Sequence, residues 1–251
     1  DSKLQLYYHP LSAPCRFVHI LLLDGNVPFE KIDVDLFSGQ QKSEEYLKIN
    51  PNGTIPSLVD GELALWESHA IGKYLVDKVS TAHYSSFVIQ YLNISRRSSP
   101  ASQTTGIPAM TEQEGFGDQW LDWHNNTYRP PHQLIIRPPI FNEKHHPDEQ
   151  VHAYVVDGGR KKIDQVLDLV ERHLTKTGNR FLVGSEVTLA DIGLHLQVLM
   201  LTFIVDEKEV VQAEKRPHFA AWYENVPKSV PHWEEINATF YAAREDKKKG
   251  K

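Results

Sequence analysis

At 251 residues the chain has room for one large domain or two smaller ones. Its 40% apolar and 24% charged residues are those of an ordinary soluble globular protein, and a formal net charge of −6 argues against a nucleic-acid partner that needs a basic face. The single cysteine excludes an intramolecular disulfide and points to a reducing compartment, read here as the cytoplasm.

The opening DSKLQLYYHP lacks the long apolar core of a signal peptide. The most apolar run, LHLQVLMLTFIV at 194–205, is too short and too interrupted to span a bilayer, so no membrane partner is expected. Residues 3–8 (KLQLYY) are β-prone and stop at Pro10. Pro14 suits the first turn of a helix, where its missing N–H costs nothing; Val18, Leu21 and Leu22 give that helix an apolar face, and Gly25 ends it. In PFEKIDVDL, Ile32, Val34 and Leu36 alternate with charges, the pattern of a half-buried strand. SEEYLKIN reads as a short helix that stops before Pro51. TIPSLV and ELALW flank Asp60-Gly61, a hairpin signal, and Ser68 is placed to cap a helix carrying Ile71, Tyr74 and Leu75. The order β-α-β-α-β-β-α within about the first 79 residues predicts a compact α/β domain whose first two strands are parallel.

Residues 80–115 are rich in Ser, Thr, Gly and Pro and read as a connection or insertion, with FVIQYL at 87–92 as an apolar island. From Phe116 the pattern is helical apart from the cluster Pro130, Pro131, Pro138 and Pro139. Ile163, Val166, Leu167, Val170 and Leu174 share one helix face. Thr188 to Asp191 has the shape of a capping box opening the most apolar helix, and RPHFAAWYENV supplies another. Sequons at Asn93, Asn125 and Asn237 are read as chance matches, and the tail DKKKGK as a solvated end. The thirteen histidines show no metal-ligand spacing; His145-His146 reads as part of a polar loop.

That layout, with YYHPLSAPCR, NPNGTIPSLVDG and WESHAI, resembles the cytosolic glutathione S-transferases, nearest to their serine-using theta and insect delta classes. TLADIGL and WYENVPKSVPHWEE resemble the helical domain of the same family. The resemblance implies a thioredoxin-like glutathione-binding domain over 1–79, a linker or insertion over 80–115 that is longer than the family pattern, and an all-helical substrate domain over 116–251. It further implies a homodimeric transferase, with glutathione as co-substrate and no metal, whose bound thiolate attacks small apolar electrophiles.

The chemistry sets a demand. A free thiol has a pKa near ~8.5, and lowering it by about two units takes roughly 2.7 kcal/mol of preferential thiolate stabilisation. A hydroxyl donating to sulfur at a helix N-terminus meets much of it, and Ser12 aligns with the catalytic serine of the serine-using classes. Cys15 one turn into the helix, the strand residues Tyr7 and Tyr8, and His9 are read as structural rivals. For glutathione itself, the resemblance implies a cis bond between Ile55 and Pro56 and main-chain pairing of Ile55 with the cysteinyl portion. It implies that Glu67 meets the γ-glutamyl ammonium and Ser68 the neighbouring carboxylate. At the glycyl end the chain departs from the family pattern: Gln41 stands where histidine is usual and Gly53 where lysine or histidine is usual, leaving Lys42 and Thr54. The electrophile pocket is expected between the domains, lined by Leu11, Trp123, His124, Thr127 and Tyr128. Two alternatives accompany the transferase reading. One is glutathione-dependent dehalogenation or peroxide reduction; the other is a non-catalytic binding or assembly role on the same fold, favoured by the 80–115 segment and the altered glycyl anchor.

Overall fold

The computed structural model describes residues 3–78, 112–142 and 145–250, with side chains of the second stretch from Gly115. FVIQYL at 87–92, the SSPASQTTG stretch and Asn93 lie outside the described residues. Two compact units are formed: Asp1–Glu114 together with Val230–Lys251, and Gly115–Ser229.

In the first unit, strand β1 (Leu4–Tyr8) leads to helix α1 (Ala13–Asp24), strand β2 (Phe29–Asp33), helix α2 (Glu44–Leu47), strands β3 (Ser57–Asp60) and β4 (Leu63–Trp66), and helix α3 (Ser68–Lys78). The sheet order is β2-β1-β3-β4. β1 and β2 are parallel, Leu4 opposite Phe29 through Tyr8 opposite Asp33, as a βαβ unit requires. β3 runs antiparallel to β1 and β4 antiparallel to β3, the hairpin closing beyond the pair Asp60 and Leu63. Leu4, Leu6 and Tyr8 point into the core while Gln5 and Tyr7 point away, the two-residue alternation of a strand. Phe17, Val18, Ile20, Leu21 and Leu22 of α1, with Ile71, Leu75 and Val76 of α3, complete that core.

The chain's last helix belongs to this unit rather than to the helical one that the sequence layout assigned it to. Arg16 on α1 is wholly buried; its guanidinium donates to the Asn237 side chain and lies 4.3 Å from the centre of the Phe240 ring. Asn237 is itself fixed by donating to the Trp233 carbonyl at 2.8 Å. The sequon at Asn237 is therefore a packing site with no exposed amide.

In the second unit, α4 (Glu112–Trp123) begins inside the stretch read as a connection, and a π-helical turn over His124–Tyr128 joins it to α5 (Arg129–Phe141). There follow α6 (Glu149–Thr177), α7 (Leu189–Leu201), α8 (Glu207–Val211) and α9 (Pro217–Ser229); α10 (Trp233–Lys248) is the helix that returns to the first unit. The proline cluster, expected to interrupt helix, sits within α5. Pro130 and Pro131 fall in its first turn, where no N–H is missed. Pro138 deprives the Leu134 carbonyl of its helical donor, and His145 Nε2 bonds that carbonyl at 2.8 Å instead. The His145 ring thus has a structural task that its polar-loop context did not reveal.

α6 buries the five predicted residues Ile163, Val166, Leu167, Val170 and Leu174. α7 is buried along its length and opens with the predicted capping box. The Asp191 carboxylate accepts from the Thr188 N–H at 2.8 Å and hydroxyl at 2.6 Å, from the Leu182 N–H at 2.8 Å and from Trp222 Nε1 at 2.7 Å. One cap residue therefore ties α7 to the preceding loop and to α9.

Candidate functional site

The sheet register gathers the predicted glutathione residues at one end. Tyr8 ends β1 and Ser12 follows it; Ser57, opposite Tyr7, begins β3 just after Pro56; Trp66, opposite Ser57, ends β4 just before Glu67 and Ser68. The N-termini of α1 and α3 open at that same end.

Ser12 is the N-cap of α1: its extended backbone breaks from the helix and its Oγ accepts from the Cys15 N–H at 3.4 Å. The side chain is half-buried, and no acidic residue occupies the first turn to spoil the positive end of the helix. The rivals fall to packing. Cys15 is buried, and although the Ser12 hydroxyl and His9 backbone favour its thiolate, burial outweighs them and pushes the thiol up to about 12. Burial likewise raises the Tyr8 phenol to about 12, and its ring lies edge-on to His19. Tyr7, on the other sheet face, packs edge-on against Tyr46 at 5.6 Å. His9 accepts the Leu11 N–H at Nδ1, 3.3 Å, and burial lowers its pKa, so it serves the turn as a neutral ring.

The Ile55–Pro56 bond is cis. Among the described residues neither the N–H nor the carbonyl of Ile55 takes part in a hydrogen bond, which leaves both main-chain groups able to pair with a peptide-like ligand. Two residues that the sequence reading missed hold this loop. The Tyr46 hydroxyl donates to the Thr54 carbonyl at 2.7 Å and lies 2.8 Å from Ser57 Oγ, while buried Asn50 donates to the same carbonyl at 2.7 Å. Asn50 stood inside the quoted NPNG motif; Tyr46 gave no signal beyond an apolar helix position.

Glu67 is exposed with φ +70°, a left-handed conformation uncommon for a residue other than glycine and of the kind found at ligand clamps. Its carbonyl accepts the Ile71 N–H at 2.9 Å, so Glu67 occupies the position before the helix. Ser68 is the first residue of α3 rather than its cap, because the chain turns at Glu67.

At the glycyl end, Gln41 and Lys42 lie in a 3-10 turn over Gln40–Lys42. Gln41 Nε2 reaches the Leu36 carbonyl at 3.5 Å while its Oε1 is buried without a partner among the described residues. Lys42 Nζ donates to the Asn52 carbonyl at 3.0 Å. Gly53 has φ +58°, and a Cβ there would lie 2.8 Å from the Lys42 Nζ and from the Gln41 carbonyl. Lys42 thus brings its ammonium to the place a side chain at position 53 would leave from. Thr54 is exposed, its hydroxyl 3.2 Å from Asn50 Nδ2.

Of the electrophile residues, Leu11, Trp123 and Thr127 are half-buried. His124 and Tyr128 are buried, their rings 5.7 Å apart, and Tyr128 meets His132 on its other side at 5.5 Å. One turn apart on the π-helical segment, both rings are packed within the helical unit.

Residues 2–77 match the glutathione S-transferase N-terminal domain and residues 122–229 the glutathione S-transferase C-terminal domain. The chain is 31% identical over 230 residues to glutathione S-transferase 3 of Zea mays, covering 90% of this chain and 89% of that protein. It is 30% identical over 239 residues to glutathione S-transferase F10 of Arabidopsis thaliana, covering 93% and 96%. The solved structure of poplar glutathione transferase F1 is similar at a TM-score of 0.74 with 25% identity, covering 95% of this chain and 98% of that one. With a thioredoxin-like sheet domain, a helical unit and full-length relatives of this kind, the chain belongs to the glutathione S-transferase family.

Proposed function

We propose that the chain is a glutathione transferase in which the Ser12 hydroxyl stabilises the glutathione thiolate for attack on small apolar electrophiles. The observation that supports this reading best is the cap geometry of α1. The Ser12 oxygen accepts from the Cys15 N–H, which polarises the hydroxyl toward donation, and the sulfur beside it within the protein is a neutral thiol held near a pKa of about 12. An anionic sulfur is a far better acceptor than that thiol and sits in the favourable field of the helix.

In this reading the Ile55 main chain pairs with the cysteinyl portion of glutathione. Ser68 and the α3 N-terminus take the γ-glutamyl carboxylate, Glu67 takes the ammonium, and Lys42 with Gln41 and Thr54 takes the glycyl carboxylate. Leu11, Trp123 and Thr127 serve the electrophile. Residues 1–79 carry the glutathione chemistry and the helical residues from 116 the electrophile, and two copies assemble as a dimer, to be checked by sedimentation. The Arabidopsis thaliana relatives F10 and F9 bear the plant F designation of the phi class. Serine activation therefore carries the proposal, and the theta or delta placement draws no support from those names.

The test is the ionisation of bound glutathione, followed by thiolate absorbance against pH. Ser12→Ala is expected to raise the bound thiol's pKa by about one to two units, the loss of one hydrogen bond to a charged group, and to cut turnover about tenfold or more. An unchanged titration in the variant, with glutathione still bound, would reduce Ser12 to a helix cap.

A further inference from the structure

Arg16 stands one helical turn beyond Ser12, and its N–H donates to the Ser12 carbonyl at 3.0 Å. Its side chain is wholly buried in the first unit. Nη1 donates to the neutral amide of Asn237, the centre of the Phe240 ring lies 4.3 Å from the guanidinium, and Nε and Nη2 have no acceptor among the described residues. The titratable groups that face it are Tyr8 from β1, Cys15 on its own helix and Tyr241 from α10. Burial holds all three above their ordinary pKa values, so each is neutral at pH 7, whereas Arg16 at about 10 keeps its proton. The result is a buried cation ringed by neutral groups.

Packing alone does not call for this. A methionine fills such a space without the cost of taking an unpaired cation out of water. A charge so placed is also screened far less than one at the surface. Its field reaches the neighbours of Ser12 on both sides along the chain: it draws the Tyr8 phenol and the Cys15 thiol downward, against the larger effect of burial.

We infer that Arg16 is a buried charge that stabilises the glutathione thiolate at Ser12 through space, in addition to the hydroxyl and the helix N-terminus. The inference rests on the transferase reading, because the anion it acts on is the bound thiolate. Arg16 is a positioning charge that acts through its field and not by contact. At a separation of roughly 10 Å and an effective dielectric constant of about 20, one unit charge moves a thiol by about one pKa unit.

The test cancels that charge in two ways and follows the thiolate absorbance of bound glutathione against pH. Asn237→Asp keeps the shape of the contact and sets a carboxylate against the guanidinium. Arg16→Met with Asn237→Leu removes the charge and leaves an apolar pair. Each is expected to raise the bound thiol's pKa by about half to one unit, which lowers the thiolate fraction, and kcat/KM below that pKa, about three- to tenfold. Above it the rates should converge on the wild-type value, which a loss of packing would not produce. The two variants change the core by opposite chemistries, so poor folding of one leaves the other to decide. Titrations that match the wild type overturn the inference. Ser12→Ala measured alongside separates the two readings: a shift there with none in the Arg16 and Asn237 variants leaves the hydroxyl acting alone, and the reverse leaves the charge acting without it.

Discussion

Lys42 brings its ammonium to the place that a side chain at position 53 would fill. The resembling classes carry a cation at position 53, whereas here the backbone stands at φ +58° and the Lys42 amine occupies the space in front of it. Placing a cation at 53 would create a clash with the Gln41 carbonyl as well as with Lys42, so the two solutions exclude each other. Lys42 is exposed, and a solvent-screened ion pair is worth about 0–1 kcal/mol. Lys42→Ala should therefore raise the KM for glutathione about two- to fivefold while leaving kcat nearly intact, the signature of lost uniform binding. Gly53→Lys should not rescue it and should lower thermal stability. A fall in kcat with unchanged KM would instead tie Lys42 to the thiolate.

Between elements, the tie of α1 to α10 puts a charge in the first unit's core. Burial lowers the Arg16 pKa to about 10, so it stays protonated near neutrality, and its Nε and Nη2 find no acceptor among the described residues. Asn237→Leu would remove its hydrogen bond to the Asn237 side chain and should cost on the order of 3 kcal/mol in urea unfolding, the penalty for stranding a buried cation. Adding Arg16→Met should recover most of that loss, because two apolar side chains satisfy each other where a lone guanidinium does not. A double variant no better than Asn237→Leu would show that Arg16 matters for its shape rather than its charge. This contact joins residues 221 positions apart, and no local pattern announces it. The amphipathic face of α6 and the capping box of α7 were legible because both follow from spacing within one element. Ser12, Pro56, Glu67 and Ser68 were legible as motifs, although the turn at Glu67 displaced Ser68 from cap to first helical residue. The helical prolines of α5 were not, since the Leu134 carbonyl they orphan is satisfied by His145 from outside the helix. Tyr46 and Asn50 escaped for the same reason: what they do depends on where the Thr54 carbonyl arrives.

Across the whole molecule, a buried histidine in the helical unit and a half-buried one in the sheet unit make both units sensitive to acid. Burial pulls the His132 pKa down to about 3 in the helical unit, with Gln197 opposing weakly, and pulls His19 to about 4 in the sheet unit. Each ring is neutral when folded but takes a proton near pH ~6.5 when unfolded. The unfolded state then binds more protons, so stability present at neutral pH is lost as pH falls from about 6.5 toward 4 and below. Asp191 acts with the opposite sign: burial raises its pKa, so its contribution is greatest in acid and declines as pH rises above the usual Asp value of 3.8. At Asp164 and Asp168 burial also pushes upward, but the bonds from Lys215 and Arg216 outweigh it and hold both carboxyls low. Their loss comes at more acid pH than the start of the histidine loss. Urea unfolding at a series of pH values should thus show stability declining below about pH 6.5 before the carboxylates protonate. The wild-type slope sums all these groups, so the informative quantity is its difference from His132→Leu. The variant should lose the wild-type slope by up to about 1.4 kcal/mol per pH unit between pH ~6 and ~4, one proton's worth. A difference that stays constant across that range would mean that His132 is protonated equally in both states, and the acid sensitivity of the helical unit would have to come from its carboxylates.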